Sequence, residues 1–334
     1  MGMVSYIIQR VVYIIVVFFL CSVLLFWIYS NVPGSRVLMF MEGGGMDPGM
    51  TPEQFAILYQ QTLERLGLDR PPHIQYFRWI TGLLSGDFGY STLHRMPVRN
   101  ALYRPLINTV RLNLVVMFFV FIITIPLGIR SAVKKNKIFD NVVQVVTVLG
   151  ISIPMFVLAI LAIVLFVIVI PGDFFPITGW RSVHFQGTWW EEVRDIARHM
   201  ILPVIVLVFS SLAALTRFTR AAMIEALSMD CIRTARAKGL KEKVVIYSHA
   251  LRNAQITVII VMAGWFIGVF SGSAMVERVF GFRGMGDELI RAIVQRDFAL
   301  AQAMNMFFII VSLVGLLIID ILFVIADPRI KLNR

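Results

Sequence analysis

The residues in this sequence that could do chemistry are not spaced for catalysis or metal binding. The five histidines, at positions 73, 94, 184, 199 and 249, never lie four residues apart, so no helix presents the paired imidazoles of an H-E-x-x-H zinc site. The sequence also has no G-x-S-x-G turn for a serine nucleophile and no G-x-x-x-x-G-K-[ST] loop for a nucleotide phosphate. We therefore predict no catalytic residue, no metal and no cofactor bound by this chain.

The segment 230–254 is dense in arginine and lysine and encodes a short helix. Asp230 is the predicted N-cap, because its carboxylate can accept hydrogen bonds from the free amides of the first turn. The helix is predicted over Cys231–Lys238. Gly239 follows as a left-handed stop, with Leu240 placed for the apolar contact of a Schellman motif.

This short helix combines a tip of small residues with a rim of basic ones. The basic residues could serve only to set the membrane topology and touch lipid head groups. The defined ends, the small residues and the absence of a nucleotide-binding loop favour a second interpretation, a knob gripped by a partner protein. The candidate coupling residues are Arg233, Thr234, Ala235, Arg236, Ala237, Lys238, Gly239 and Leu240.

The composition places most of the chain in a membrane. Its 334 residues are 58% hydrophobic, with a mean hydropathy of +0.80, more than one soluble core can bury. The net charge of +11 lies in islands between apolar runs, which argues against nucleic acid as a partner. Six spans are predicted, at 11–30, 107–129, 141–170, 201–222, 255–276 and 305–326. The first lacks a small-residue cleavage site, so we expect a retained helix rather than a signal peptide.

The distribution of basic residues orients these spans. With both termini in the cytoplasm, every lysine lies on the cytoplasmic side, whereas arginines in the short outer loops are diluted by acidic residues. The segment 230–254 is then cytoplasmic, and 31–106 is a long external loop.

The external loop should carry structure of its own. Thr51-Pro52-Glu53-Gln54 has the pattern of a capping box that starts a helix, and Gly67 is a plausible stop. A second helix is predicted through H-I-Q-Y-F-R-W-I-T-G-L-L, with an apolar stripe suited to the membrane interface. The pair could form a packing cap over the bundle or a surface for an external partner.

Two carboxylates lie in or beside the spans, where an unpaired charge is costly. For Asp320, about two turns from the end of the sixth span, two roles stay open: a partner of an internal arginine or backbone donor, or a place on a transport path. Glu277 follows the fifth span, where a solvated or loop-paired carboxylate is favoured over a substrate ligand.

Several segments resemble one family of transport proteins. R-T-A-R-A-K-G-L (233–240) and H-A-L-R-N-A (249–254) are similar to the cytoplasmic EAA loop of ABC-importer permease subunits, in the form of the dipeptide and oligopeptide branch. The resemblance continues in 66–91, in N-T-V-R-L-N-L (108–114), in E-R-V-F-G-F-R-G-M-G (277–286) and in the ending Asp327-Pro328-Arg329.

The resemblance implies a type I ABC-importer permease fold: all-α, with six transmembrane helices, cytoplasmic termini and a structured external loop. It divides the chain into 1–106, a core of 107–328 that includes the coupling loop 225–253, and a tail, 329–334. The implied partners are a homologous second permease subunit, two ATPase subunits that bind ATP and Mg, an external substrate-binding protein and the lipid bilayer. The implied location is a bacterial or archaeal cytoplasmic membrane. Peptides are the expected cargo, with nickel or glutathione as alternatives, and a secondary transporter without an ATPase stays open.

Overall fold

The computed structural model describes residues 3–32, 36–43, 49–169, 175–183 and 185–326. The helices are α1 (Met3–Ser30), α2 (Arg36–Gly43), α3 (Pro52–Leu66), α4 (Pro72–Leu84), α5 (Val98–Val133), α6 (Ile138–Ser152), α7 (Met155–Ile163), α8 (Trp189–Ser228), α9 (Asp230–Ala237), α10 (Glu242–Val244), α11 (Leu251–Gly268), α12 (Ala274–Val279), α13 (Met285–Val294) and α14 (Phe298–Ala326). The π-helical stretch Val164–Val169 extends α7, and Val245–Ala250 joins α10 to α11. A hairpin pairs β1 (Tyr90–Ser91) with β2 (Met96–Pro97). The predicted tail, 329–334, lies outside the described residues.

The centre of the fold is the packing of α5 against α8. The two helices approach closely at Gly128, where an added Cβ would lie 2.6 Å from Cβ of Thr219. Small residues permit such close approach of helices in a membrane, where packing drives helix association. Val120 and Leu215 are fully buried in the core between these helices and their neighbours.

The pair of α1 and α14 lies at the edge of this core. Both are among the most apolar helices, and little of α1 is buried by the rest of the chain. Arg10 Nε lies 3.2 Å from a carboxylate oxygen of Asp320. Farther along the same pair, Asn305 Nδ2 donates to the hydroxyl of Tyr29 at 3.0 Å.

Four of the six predicted spans are single long apolar helices in the structure. In the described part of the chain, four helices are long and apolar enough to cross a membrane, namely Ser5–Ser30, Val98–Val133, Trp189–Ser228 and Phe298–Leu322. A fifth is possible if Ile138–Ser152 and Met155–Val169 form one span, but these two are bent by 100°. The predicted span 141–170 is therefore built from two helices rather than one. Pro154 explains the break, since it has no N–H to donate and keeps Ile153 extended.

The helix at the fifth predicted span also ends early. The prediction was 255–276, whereas α11 stops at Gly268 and the chain turns before α12 begins at Ala274. Gly272 lies in this turn with φ of +70°, a left-handed conformation that favours glycine.

The two helices predicted in 31–106 are confirmed. Thr51 Oγ1 accepts from the Gln54 amide and the Gln54 side chain accepts from the Thr51 amide, so the capping box forms as expected. Gly67 ends α3 in the left-handed conformation, with φ of +66°. The second helix is α4, whose Tyr76 hydroxyl lies 2.8 Å from Ser22 Oγ on α1.

A short hairpin after α4 was not predicted, and it makes the described fold helical with one two-stranded sheet. Asp297, immediately before α14, holds the hairpin in place. Its carboxylate accepts from Ser91 Oγ at 2.5 Å and from the Leu93 amide at 3.0 Å. The hairpin is thus attached to the same end of the bundle as α3 and α4, here called the α3–α4 end; the opposite end is the α9 end.

Candidate functional site

The candidate coupling residues lie on and just after α9, a two-turn helix at the end of α8. The helix runs over Asp230–Ala237, one residue earlier than predicted. Met229, not Asp230, occupies the N-cap position, and the carboxylate of Asp230 instead accepts from Arg233 Nη1 at 3.2 Å. The predicted N-cap role of Asp230 is therefore wrong.

The predicted stop of this helix is confirmed. Gly239 has φ of +75°, in the left-handed region. Its amide donates to the Arg236 carbonyl at 2.9 Å, and the Leu240 amide donates to the Ala235 carbonyl at 3.4 Å. These are the two hydrogen bonds of a Schellman motif, so the chain reverses direction at a defined point.

One face of α9 packs against its own bundle. Ile232 is fully buried and Ala235 is 5% exposed, in a cluster with Met223 of α8 and Val245 of the π-helical stretch. Ala235 was predicted to contact a partner directly. It faces the bundle instead, because α9 needs an apolar side to hold its position.

The other face of α9 is open. Of the eight candidate coupling residues, only Ala235 is buried; Arg233, Thr234, Arg236, Ala237, Lys238, Gly239 and Leu240 are exposed. Beside them, the apolar side chains of Val244 and Tyr247 are also exposed. The arrangement is a rigid, basic knob with an uncovered apolar flank.

An ion pair closes the loop after α9. The Arg236 guanidinium donates to both carboxylate oxygens of Glu242, at 3.2 Å and 2.7 Å. These hydrogen bonds lower the pKa of the Glu242 carboxyl below its ordinary value. Both side chains are about half exposed, so the pair orients the loop more than it stabilises the fold.

Comparison with known proteins identifies the family. Residues 124–332 match the binding-protein-dependent transport system inner membrane component family, and residues 3–98 match its N-terminal family. The chain belongs to this permease family.

Full-length relatives of the permease are similar over nearly the whole chain. The oligopeptide transport system permease protein AppB of Bacillus subtilis is 33% identical over 98% of this chain and 100% of its own length. The dipeptide transport system permease protein DppB of Lactococcus lactis is 33% identical over 99% of this chain and 100% of its own length. The glutathione transport system permease protein GsiC of Escherichia coli is 32% identical over 98% of this chain and 99% of its own length.

A cavity of about 440 Å³ lies between α5, α8 and α11 of the permease, and it is the candidate for part of a transport passage. Most of its lining is apolar or small, with Met117, Leu207, Gly264 and Trp265 among these residues. Asn113 and Ser211 add polar groups. Asn113 Nδ2 donates to the Val269 carbonyl at 2.9 Å, just after α11 ends. Sequence periodicity alone could not separate these residues from the lipid-facing ones.

Glu277 of the permease is fully buried rather than solvated, and its partners come from α13 of the same loop and from α5. Thr109 Oγ1 donates to one carboxylate oxygen at 2.9 Å, and the Asp287 amide donates to the other at 3.0 Å. Burial raises the pKa of Glu277 above its ordinary value. Gly284 leaves room for this carboxylate, because a Cβ there would lie 2.5 Å from Glu277 Oε1.

Of the two roles open for Asp320, the permease structure supports the internal arginine partner, Arg10. A second ion pair, between Asp140 and Arg220, was missed by the sequence analysis. It joins the first turn of α6 to α8 at the α9 end. The available signal was an arginine inside the predicted span 201–222, which needed a carboxylate partner.

Proposed function

We propose that this chain is the membrane-spanning permease subunit of an ATP-driven importer that carries di- or oligopeptides across the cytoplasmic membrane of a bacterium or archaeon. The observation that carries the proposal is α9, a helix anchored by Ile232 and Ala235 with its basic face open. Membership of a binding-protein-dependent family supports the importer class, and similarity to permeases named for oligopeptides and dipeptides supports the cargo.

The proposed topology has six spans with both termini in the cytoplasm. The bent pair α6 and α7 is the third span, and α11 is the fifth. The α9 end is cytoplasmic, since the basic residues of 230–254 belong on that side by the positive-inside rule. The α3–α4 end is external. Segment 1–106 then adds a first span and an external cap to the core, 107–328.

The proposed assembly contains a second, homologous permease subunit, two ATPase subunits in the cytoplasm and an external substrate-binding protein. ATP and Mg bind to the ATPases and not to this chain. The open face of α9, with Leu240, Val244 and Tyr247 beside it, fits a cleft on an ATPase subunit, because it offers both charge and uncovered apolar surface.

A displacement of α9 can pass to the bundle as a rigid-body motion. Ile232 and Ala235 belong to one buried cluster with Met223 of α8 and Ile129 of α5. A pull on α9 therefore moves the ends of α5 and α8 together, which is how closure of the ATPases would rock the bundle between inward-open and outward-open states. Both helices also line the 440 Å³ cavity, so the same motion would reshape the passage.

Cysteine cross-linking tests the coupling role in the complete importer. In a Cys231→Ser background, Ala237→Cys is expected to cross-link to an ATPase subunit, because position 237 is exposed. Ala235→Cys is the matched control, since position 235 is buried against the bundle and should not react. Failure of Ala237→Cys to reach any ATPase, in membranes that contain all subunits, would sink the proposal.

The cargo is tested separately, by reconstituting the importer in proteoliposomes. Labelled dipeptides should be accumulated only with ATP, and their uptake should be competed by unlabelled peptides. Competition by glutathione or nickel alone would reassign the cargo while leaving the importer class intact. ATP-independent uptake would instead indicate a secondary transporter.

A further inference from the structure

A second cavity, of about 640 Å³, lies at the α3–α4 end, away from the candidate passage. Its floor is formed where two spans end, by Phe26 of α1 and Phe298 of α14. Its walls come from α3, α4 and the hairpin. We call it the arginine cleft, after Arg65, Arg78 and Arg296, which line it.

The three arginines have no carboxylate partner within the part of the chain that the structure describes. Two aspartates also line the cleft, but their oxygens are committed to local donors. Asp297 accepts from Ser91, Leu93 and Leu300, and Asp87 accepts from the Gly89 amide at 3.0 Å. The guanidinium groups therefore remain available to an anion from outside the chain.

The ends of two helices, α3 and α13, place Arg78 and Arg296 at the cleft. A Cβ at Gly67, the residue that ends α3, would lie 2.4 Å from Nη1 of Arg78, so that guanidinium lies directly against the end of α3. Arg296 is the left-handed residue that ends α13, with φ of +58°; its amide donates to the Ile293 carbonyl at 3.1 Å, and the Asp297 amide donates to the Ala292 carbonyl at 2.8 Å.

The apolar lining of the cleft is rich in aromatic rings. Phe26 and Trp79 pack with ring centroids 5.8 Å apart, and Tyr90 lies on the hairpin wall. Tryptophan and tyrosine are typical of the boundary between membrane and water. An occupant with an anionic group and an apolar body matches this combination of guanidinium and aromatic surface.

The position of the cleft favours a lipid over the transported cargo. Its floor belongs to α1 and α14, and little of the apolar helix α1 is covered by the rest of the chain, so the cleft lies at an edge of the fold where lipid can approach. The candidate passage, by contrast, lies between α5, α8 and α11. We propose that the arginine cleft binds the phosphate head group of an anionic phospholipid, with Arg65, Arg78 and Arg296 as its ligands and the aromatic floor against its glycerol and upper acyl chains.

Native mass spectrometry of the detergent-purified full-length chain tests this site with dioleoyl-phosphatidylglycerol as the probe. Each basic residue at a membrane surface contributes about 1 kcal/mol to binding an anionic lipid, or about fivefold in affinity. Arg65→Gln/Arg78→Gln should therefore weaken the tightest phosphatidylglycerol site by about 25-fold. Dioleoyl-phosphatidylcholine, a zwitterion, should not occupy the site tightly.

Arg70→Gln is the matched control, because Arg70 lies between α3 and α4 but does not line the cleft. It should leave phosphatidylglycerol binding unchanged. An equal loss in Arg70→Gln would reduce the effect to general surface charge and overturn the site. If the size-exclusion profile shows that the double variant does not fold, the single variant Arg65→Gln is used instead. Arg65 is exposed and has no ion-pair partner among the described residues, so its loss should not disturb the fold. Its affinity for phosphatidylglycerol should fall about fivefold.

Two further measurements identify which molecule supplies the anion. Glycerol phosphate should compete only weakly with the intact lipid, since it lacks the acyl chains that meet the aromatic floor. Competition by glycerol phosphate as strong as that of the lipid would overturn the lipid assignment in favour of a small soluble anion. Unchanged lipid binding in the double variant, with lost affinity for the external binding protein in phosphatidylcholine nanodiscs, would overturn it in favour of a protein partner.

Discussion

The carboxylate of Asp140 receives two hydrogen bonds, each of 2.7 Å, from the guanidinium of Arg220, 80 residues later in the chain. Ser131 Oγ and the Asn136 amide also donate to it, so one carboxylate joins α5, the turn after it, α6 and α8. This junction lies at the same end of the bundle as α9. It therefore fixes the ends of α5, α6 and α8 relative to one another, next to the candidate coupling helix.

Asp140→Asn should destabilise the chain, because Arg220 would keep its charge in a mostly buried position without a matching anion. Loss of one partner from a buried ion pair costs about 3 to 5 kcal/mol. The Arg220 side chain is 21% exposed, so we expect about 2 kcal/mol, measured as the free energy of unfolding in detergent.

Asp230→Asn supplies the comparison within the same chain. Its ion pair with Arg233 joins side chains that are 92% and 76% exposed, and its loss should not change the free energy of unfolding measurably. Equal stability of Asp140→Asn and the unchanged protein would show that Asp140 does not hold the ends of α5, α6 and α8 together.

Gly239→Val should uncouple ATP hydrolysis from uptake. The residue has φ of +75°, and a β-branched side chain in that conformation costs about 1 to 2 kcal/mol. No atom lies within 4 Å of the position where a Cβ would be, so the effect is one of backbone conformation and not of collision. Peptide uptake should fall by about tenfold, the equivalent of 1.4 kcal/mol, while membrane insertion is unchanged.

The control for this variant is Gly239→Asn, because asparagine tolerates the left-handed conformation. It should retain most of the uptake, measured per importer complex in proteoliposomes. If valine and asparagine behave alike, the Schellman stop is not what positions the coupling helix.

Local signals explain what the sequence predicted well. The ends of α3 and the stop of α9 depend on a capping box and on left-handed glycines, which act over a few residues and can be read directly. The angle of 100° between α6 and α7 leaves no local signal, since it depends on how both helices pack against α8.

Long-range pairing explains what the sequence did not predict. Thr109 and Glu277 are separated by 168 residues, and Asp140 and Arg220 by 80, so neither contact leaves a local pattern. Ala235 was expected on the open face because it is small. Its inward orientation follows from the apolar position three residues earlier, Ile232, which fixes the buried side of the helix.

Gly128→Ala should weaken the packing of α5 against α8. The new Cβ would lie 2.6 Å from Cβ of Thr219 and 3.0 Å from the Thr216 carbonyl oxygen, closer than either helix can accommodate without moving. Overpacking of this kind costs about 1 to 3 kcal/mol. Gly264→Ala, at a helix position with no atom within 4 Å, should leave thermal stability in detergent unchanged or raise it. Equal stability of the two variants would contradict the close contact.

Glu277 should make stability depend on pH, in the direction set by its burial. Its pKa in the folded chain is raised above the ordinary value of 4.5 that applies to the unfolded chain. Below 4.5 both states are protonated, and the contribution of the neutral carboxyl is fully present. As pH rises, the unfolded state ionises first, so the folded state loses stability until the pH exceeds the folded pKa.

Glu277→Gln removes this titration while keeping the shape of the side chain. The difference in melting temperature, unchanged protein minus variant, should therefore be largest at low pH and fall as pH rises above 4.5, measured in detergent from about pH 4 to pH 8. Other titrating groups cancel in this difference, because they are common to both proteins. A difference that is constant across the range would mean that the carboxyl has the same pKa in the folded and unfolded states. A difference that grows with pH would mean that the hydrogen bonds from Thr109 and the Asp287 amide outweigh the effect of burial on that pKa.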